Sequence, residues 1–179
     1  MFWKKSKNKD KFKCAMCGKV QDKLPALAFM SPIYYSYLSD EDKNDMAELT
    51  EDFCIIRHPE QIDRFIRTTK TFQIVDACED LNYGIWVSVS EKTFDEYKAD
   101  FKNNIEGKTY FGSICNEIPE YEESTLGLHV NVETRANGIR PEIILHQSEH
   151  VLIKDWEKGI SILEAEVRVQ NIMNKQNQQ

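Results

Sequence analysis

Two cysteines three positions apart carry the sharpest chemical signal in the chain, in Lys13-Cys14-Ala15-Met16-Cys17-Gly18-Lys19. A Cys-x-x-Cys pair brings two thiolates within reach of one tetrahedral zinc ion, and a glycine after the second cysteine lets the backbone turn beneath the metal. A structural zinc takes four ligands, and there is no second Cys-x-x-Cys. The completing ligands would come from far along the chain, with Cys54, His58, Cys115, His146 and His150 available. Cys14, Cys17 and His150 are the expected metal ligands. Lys13, Lys19 and Lys23 flank the pair and would lower its thiol pKa values, which opens a redox role as well. A thioredoxin-like pair sits at a helix start after a strand, a pattern not found around Cys14. Plain reduced thiols are the third reading.

Other constellations are weaker. Cys54 with His58, and Cys115 with His129 or His150, can be drawn as nucleophile and base, but no nucleophile elbow or glycine-rich oxyanion loop accompanies them. Five cysteines and four histidines produce such pairs by chance. P-loop, dinucleotide, His-Glu-x-x-His and EF-hand signatures are absent. Glu117, Glu120, Glu122 and Glu123 cluster around Tyr121. Four acids in a loop read as a solvated edge or a docking patch before they read as a catalytic pair. Trp86, Tyr110 and Phe111 pack on a sheet or line a pocket. Trp86, Tyr110, Glu117, Glu120, Tyr121, Glu122 and Glu123 make up the expected binding surface.

These residues need elements to hold them. The chain has 179 residues, 41% of them hydrophobic and 30% charged, which suits one domain with a real core. No apolar run approaches the ~18 residues of a membrane span. The basic start lacks the apolar stretch of a secretory signal, and five cysteines are an odd set, so reduced thiols in a cytoplasm are expected. Residues 1–13 hold six lysines against one aspartate, in a chain of net charge −7. They read as a basic flexible arm, solubilising or touching an anionic surface through Phe2 and Trp3. The acidic body repels nucleic acid and favours a basic protein partner.

Residues 14–173 read as one unit and 174–179 as a tail. Ser39 with Asp42 caps a helix running to about Leu49, Ser90 caps another, and Ser161 with Glu164 caps the last. Short strands are expected at Asp52–Ile56, Phe65–Arg67, Thr71–Val75, Gly84–Val89 and Thr109–Cys115. In Leu126–Glu133, Leu126, Leu128, Val130 and Val132 alternate with polar residues, and Asn137-Gly138 signals a hairpin turn before Arg140–Leu145. The pattern is α+β: a mainly antiparallel sheet of five to seven strands, helices packed on one side, and an N-terminal Cys-x-x-Cys knuckle.

The order of these strings resembles the bacterial domain-of-unknown-function family 2199 over nearly the whole chain. The residues that carry the likeness are Cys14-x-x-Cys17-Gly18, Leu24-Pro25, Asp52-Phe53-Cys54-Ile55, Phe65-Ile66-Arg67 and Gly84 through Glu91. It continues in Tyr110-Phe111-Gly112, Pro119-Glu120-Tyr121, Thr125-Leu126, Arg140-Pro141, His150 and Gly159-Ile160-Ser161. The resemblance implies a small bacterial cytosolic protein and brings no catalytic residues to carry over. Where the family tends to place a histidine shortly after Cys-Gly, this chain has Lys19-Val20-Gln21-Asp22, and the family's His-Pro-Leu stands as His150-Val151-Leu152. The expected function is a non-enzymatic protein-binding domain, regulatory or immunity-like. A zinc-binding module and a small enzyme with a pocket near Trp86 and Tyr110 are the alternatives.

Overall fold

The computed structural model describes residues 11–13, 20–22, 24–102 and 106–176, with side chains for 24–102 and 106–172. The elements in chain order begin with β1 (Lys11–Lys13), β2 (Val20–Asp22), β3 (Leu27–Ala28), α1 (Ile33–Ser36), α2 (Asp40–Met46), β4 (Ala47–Leu49) and β5 (Phe53–Arg57). They continue with β6 (Ile62–Gln73), β7 (Asp80–Ser88), α3 (Glu91–Asp100), β8 (Thr109–Ile114), β9 (His129–Glu133), β10 (Glu142–Leu145), α4 (Val151–Lys158) and α5 (Ile162–Gln176). The protein is α+β. Lys11–Lys13, the end of the segment read as a basic arm, form a strand paired antiparallel with β2.

The main sheet has eight strands in the order β3-β7-β8-β9-β10-β6-β5-β4, and β7 also pairs with β6. β6, β7, β8, β9 and β10 therefore close on themselves as a five-stranded barrel. The sequence led to a mainly antiparallel sheet of five to seven strands; the sheet has eight, and closure was not anticipated. The cause is β6. Phe65–Arg67 and Thr71–Val75 read as two short strands, but they run together in one 12-residue strand. That length lets β6 pair with β5 over Ile62–Ile66, with β7 over Phe65–Gln73, and with β10 at Thr69. Among the described strands, the β10–β6 and β3–β7 pairings are parallel, as is an isolated bridge between Ile74 and Ile160. Closure leaves β3 and β4 as the two ends of the sheet, the places where backbone groups are exposed to new partners.

Alternation sorts the side chains into two cores. Ile66 and Phe72 of β6, Ile85 and Val87 of β7, Val130, Val132 and Ile143 join the main core, with Phe94 and Tyr97 of α3 and Ala165 and Val169 of α5. The opposite parity puts Phe65 and Trp86 on the outer wall. There a smaller core forms from Cys54, Ile56, Phe65, Trp86 and Cys115, covered by Phe29, Tyr35, Leu38, Met46 and Leu49.

Caps and turns follow the residue chemistry. Ser39, Ser90 and Ser161 accept hydrogen bonds from the backbone N–H of Asp42, Thr93 and Glu164 at 3.1, 3.2 and 3.2 Å. α2 stops at Met46, short of the expected Leu49, because Ala47–Leu49 turns extended and pairs with β5. Asn137 and Gly138 both take the left-handed conformation, with φ of 62° and 66°, as the turn signal required. α4 was not anticipated.

Candidate functional site

Cys14 and Cys17 lie outside the described residues. His150, the third expected ligand, is engaged by the backbone. It caps α4, its Nδ1 accepting from the Leu152 N–H at 3.0 Å, while Nε2 lies 3.2 Å from the Glu123 carbonyl. The first bond leaves the proton on Nε2, which donates to Glu123. Both ring nitrogens are thus engaged by backbone, and neither presents a free lone pair to a metal. Among the described residues, no group of three or more His, Cys, Asp or Glu could hold a metal ion.

The expected binding surface comes apart in the same way. Trp86 is fully buried in the outer core, so it belongs to packing and not to a surface. Tyr110 is half-buried beside Glu96 and Lys108. Glu117 turns inward to hold its own loop, accepting from Ser124 Oγ at 2.7 Å and from the Thr125 N–H at 3.1 Å. Both carboxylate oxygens of Glu120 are buried. Only Glu122 and Glu123 remain exposed. Tyr121 donates to Asp155 at 2.9 Å and accepts from Arg168 at 3.0 Å, and its ring stands edge-on to His150. The structure thus brings Tyr121 and His150 together, in a clamp that fastens α4 and α5 to the Glu117–Thr125 loop.

Thiol chemistry gains no support. Burial pushes Cys54 up to about 12 and Cys115 up to about 11, which keeps both protonated at neutral pH and poor as nucleophiles. Both are free, whereas Cys78 is disulfide-bonded, against the expectation of uniformly reduced thiols.

A different site emerges from the buried cations. Three cationic side chains are buried among the described residues: Arg67, Lys70 and Arg168. Arg168 is fully paired, with Asp155 at 2.7 Å, Glu164 at 2.8 Å and the Tyr121 hydroxyl. Lys70 donates to the Ile143 carbonyl at 2.9 Å, stands 3.9 Å from Glu142 and lies 3.9 Å over the Trp156 ring. Burial lowers it to about 8. Arg67 has much less. Its one side-chain hydrogen bond among the described residues runs from Nη1 to the Glu51 carbonyl at 3.3 Å, and its guanidinium lies 5.8 Å over Trp86. Its Nε is buried without an acceptor. Among the described residues no carboxylate forms an ion pair with it, and the nearby Asp52 is committed to Arg140 Nε at 2.6 Å. Burial lowers the Arg67 pKa, and the Arg140 charge lowers it further, against the pull of Asp52 and Glu51.

Arg67 and Arg140 line an open groove of about 440 Å³ together with Met30, Leu49, Thr50 and Glu51. The sequence positions each wall. Arg67 follows Phe65 and Ile66 on β6 and takes the outer parity; its N–H donates to the Asp52 carbonyl at 2.9 Å. Arg140 is held through its carbonyl by Arg135 Nε at 2.8 Å and through its guanidinium by Asp52. Gly84 leaves room for the Arg67 stem: a Cβ there would stand 3.1 Å from Ala28 Cβ and 3.6 Å from Arg67 Nε. On the other wall, Trp86 Nε1 donates to the Phe29 carbonyl at 3.1 Å and Asn116 Nδ2 to the Ser31 carbonyl at 2.9 Å. Those bonds anchor the chain on both sides of Met30, whose side chain stays 76% exposed.

Sequence reasoning missed this pair. The signal was present as an arginine inside the apolar segment Phe65-Ile66-Arg67. Asp52, Arg67, Gly84, Trp86 and Arg140, all within strings that carried the family likeness, converge here. No curated protein and no solved structure matches the chain. No helix among the described residues is long and apolar enough to cross a membrane. The model of one family does match, over residues 13–160, and the chain belongs to that family, described as an uncharacterised protein conserved in bacteria, DUF2199.

Proposed function

We propose that this protein works by binding, and that the Arg67–Arg140 groove receives a negatively charged group. One observation carries the reading: a buried arginine whose Nε has no acceptor, and which forms no ion pair among the described residues, lines an open groove. Leaving a charge buried and unpaired costs several kcal/mol, and a fold retains such a group where something else offsets the cost. An anionic ligand supplies the missing partner through charge-assisted hydrogen bonds, which are about twice as strong as neutral ones. The groove's size falls within the ~300–1,000 Å³ of small-ligand sites.

This reading reverses the charge of the expected partner. The basic partner was inferred from the acidic charge of the body as a whole, and of the four acids around Tyr121 expected to form a docking patch, two are turned inward. The groove selects an acidic group instead. The test is thermal unfolding in sodium isovalerate against equal sodium chloride. Wild type should gain about 3–6 °C in Tm at tenfold excess over Kd, and Arg67→Met should gain nothing. Equal Tm values for wild type in the two salts, at isovalerate concentrations up to about 50 mM, where even a millimolar site is filled, refute it.

A further inference from the structure

We infer that the occupant of the groove is an extended peptide that ends there and delivers its C-terminal carboxylate to Arg67, an inference that rests on the anion-binding reading above. Charge sets the first limit. Arg140 is paired with Asp52, so Arg67 is the one cation lining the groove with no ion pair among the described residues, although the Glu51 and Asp52 charges act on it from nearby. Two arginines against Glu51 and Asp52 leave no surplus positive charge, so the groove has room for at most one further negative charge, held by the Arg67 donors. A dianionic phosphate would face Glu51 and Asp52 with only one unmatched cation.

The walls set the second limit. Met30 and Leu49 are apolar, and methionine adapts its shape to what it covers. They suit an apolar side chain on the residue that carries the carboxylate.

The third limit comes from the backbone. The groove lies between the two open ends of the sheet: Met30 follows β3 and Leu49 closes β4. Thr50 N–H bonds to the Phe53 carbonyl at 2.8 Å, which makes 50 and 53 a hydrogen-bonded pair. Bonded and non-bonded pairs alternate along an antiparallel ladder, so Leu49, opposite Cys54, directs its N–H and C=O away from β5, to the outer edge of β4. An extended chain laid on that edge gains main-chain hydrogen bonds that an isolated carboxylate does not, while its end reaches Arg67.

The test uses the full chain and N-terminally fluorescein-labelled hexapeptide pools, five positions randomised and Leu last. One pool has a free C-terminal carboxylate and the second a C-terminal amide. The third is amidated with Glu fixed at position five. Anisotropy gives each affinity, and unlabelled isovalerate is measured by competition. The free-acid pool should bind at least about tenfold more tightly than the amide pool and than isovalerate. Arg67→Met should erase the acid–amide difference. Equal binding of the acid and amide pools overturns the inference, as does equal binding of the acid and Glu-amide pools. Isovalerate binding as tightly as the acid pool, with both lost in Arg67→Met, overturns the peptide occupant and leaves the anion-binding reading standing. If neither isovalerate nor the acid pool senses Arg67→Met, both fall.

Discussion

Removing the Arg67 charge should make the free protein more stable, which is the reverse of what deleting a buried polar group normally does. Arg67→Met keeps an unbranched stem over Trp86 and discards the guanidinium. The losses are one weak hydrogen bond to the Glu51 carbonyl at 3.3 Å and a cation–π contact at 5.8 Å. Those are worth roughly 0.5–1.5 and 0.5–2 kcal/mol. The gain is relief from burying a charge that forms no ion pair among the described residues, several kcal/mol, together with relief from repulsion by Arg140, set against the lost attraction of Asp52 and Glu51. The balance favours the variant by about 1–2 kcal/mol, or about 3–6 °C in Tm for a chain of this size. Urea unfolding followed by far-UV circular dichroism, in buffer free of carboxylate and phosphate, measures it through the midpoint at constant m. A variant destabilised by more than about 2 kcal/mol at unchanged m would show that the guanidinium is structurally satisfied, and the argument for a missing ligand would collapse.

Arg168 should behave in the opposite way. Arg168→Met strips Asp155, Glu164 and Tyr121 of their shared partner and should cost about 3–5 kcal/mol by urea unfolding; a loss under about 1 kcal/mol would contradict the clamp. Lys70 predicts a pH dependence. Its folded pKa of about 8 lies below its ordinary 10.5, so between those values the unfolded chain holds a proton the folded chain does not. Stability from this group is therefore lowest below pH 8 and rises toward pH 10.5, by about 3 kcal/mol in all. Lys70→Met should lack that rise when urea midpoints at pH 7.5 and 10 are compared; identical slopes in the two proteins would refute it. Gly112→Ala tests barrel closure, since its Cβ would stand 2.4 Å from Val87 Cγ1 and 2.9 Å from the Ser88 carbonyl. It should lower stability by about 1–3 kcal/mol, and an unaffected midpoint would mean β7 and β8 do not meet as described.

Local chemistry was the legible part of this protein. Ser39, Ser90 and Ser161 could be read as caps because a short hydroxyl before an apolar period has few other uses at a helix start. Asn137-Gly138 could be read as a turn because both residues tolerate positive φ. Closure of the barrel could not be read. Periodicity says which face of a strand is buried and not which strands meet, and the polar stretch Thr68-Thr69-Lys70 inside β6 looked like a break. α4 escaped because its cap is His150, which offers a ring nitrogen where a hydroxyl or carboxylate is usual. The groove escaped for a further reason. Met30, Asp52, Arg67 and Arg140 are remote in sequence, and what singles out Arg67, burial without an ion pair among the described residues, exists only once β6 packs under the outer core. The cysteines and acids drew attention by type and spacing, yet their roles depended on partners that spacing does not reveal.

The most direct test of the central claim is to watch the guanidinium groups themselves. Arginine side-chain Nε–Hε resonances of uniformly ¹⁵N-labelled protein, assigned with the Arg67→Met and Arg140→Met variants, would be followed through an isovalerate titration at low salt. Saturable shifts centred on Arg67 and Arg140, with Arg168 unmoved, are the predicted result. An Arg67 resonance that stays in place up to about 50 mM, well above a millimolar Kd, would contradict the assignment of this groove as an anion-binding site.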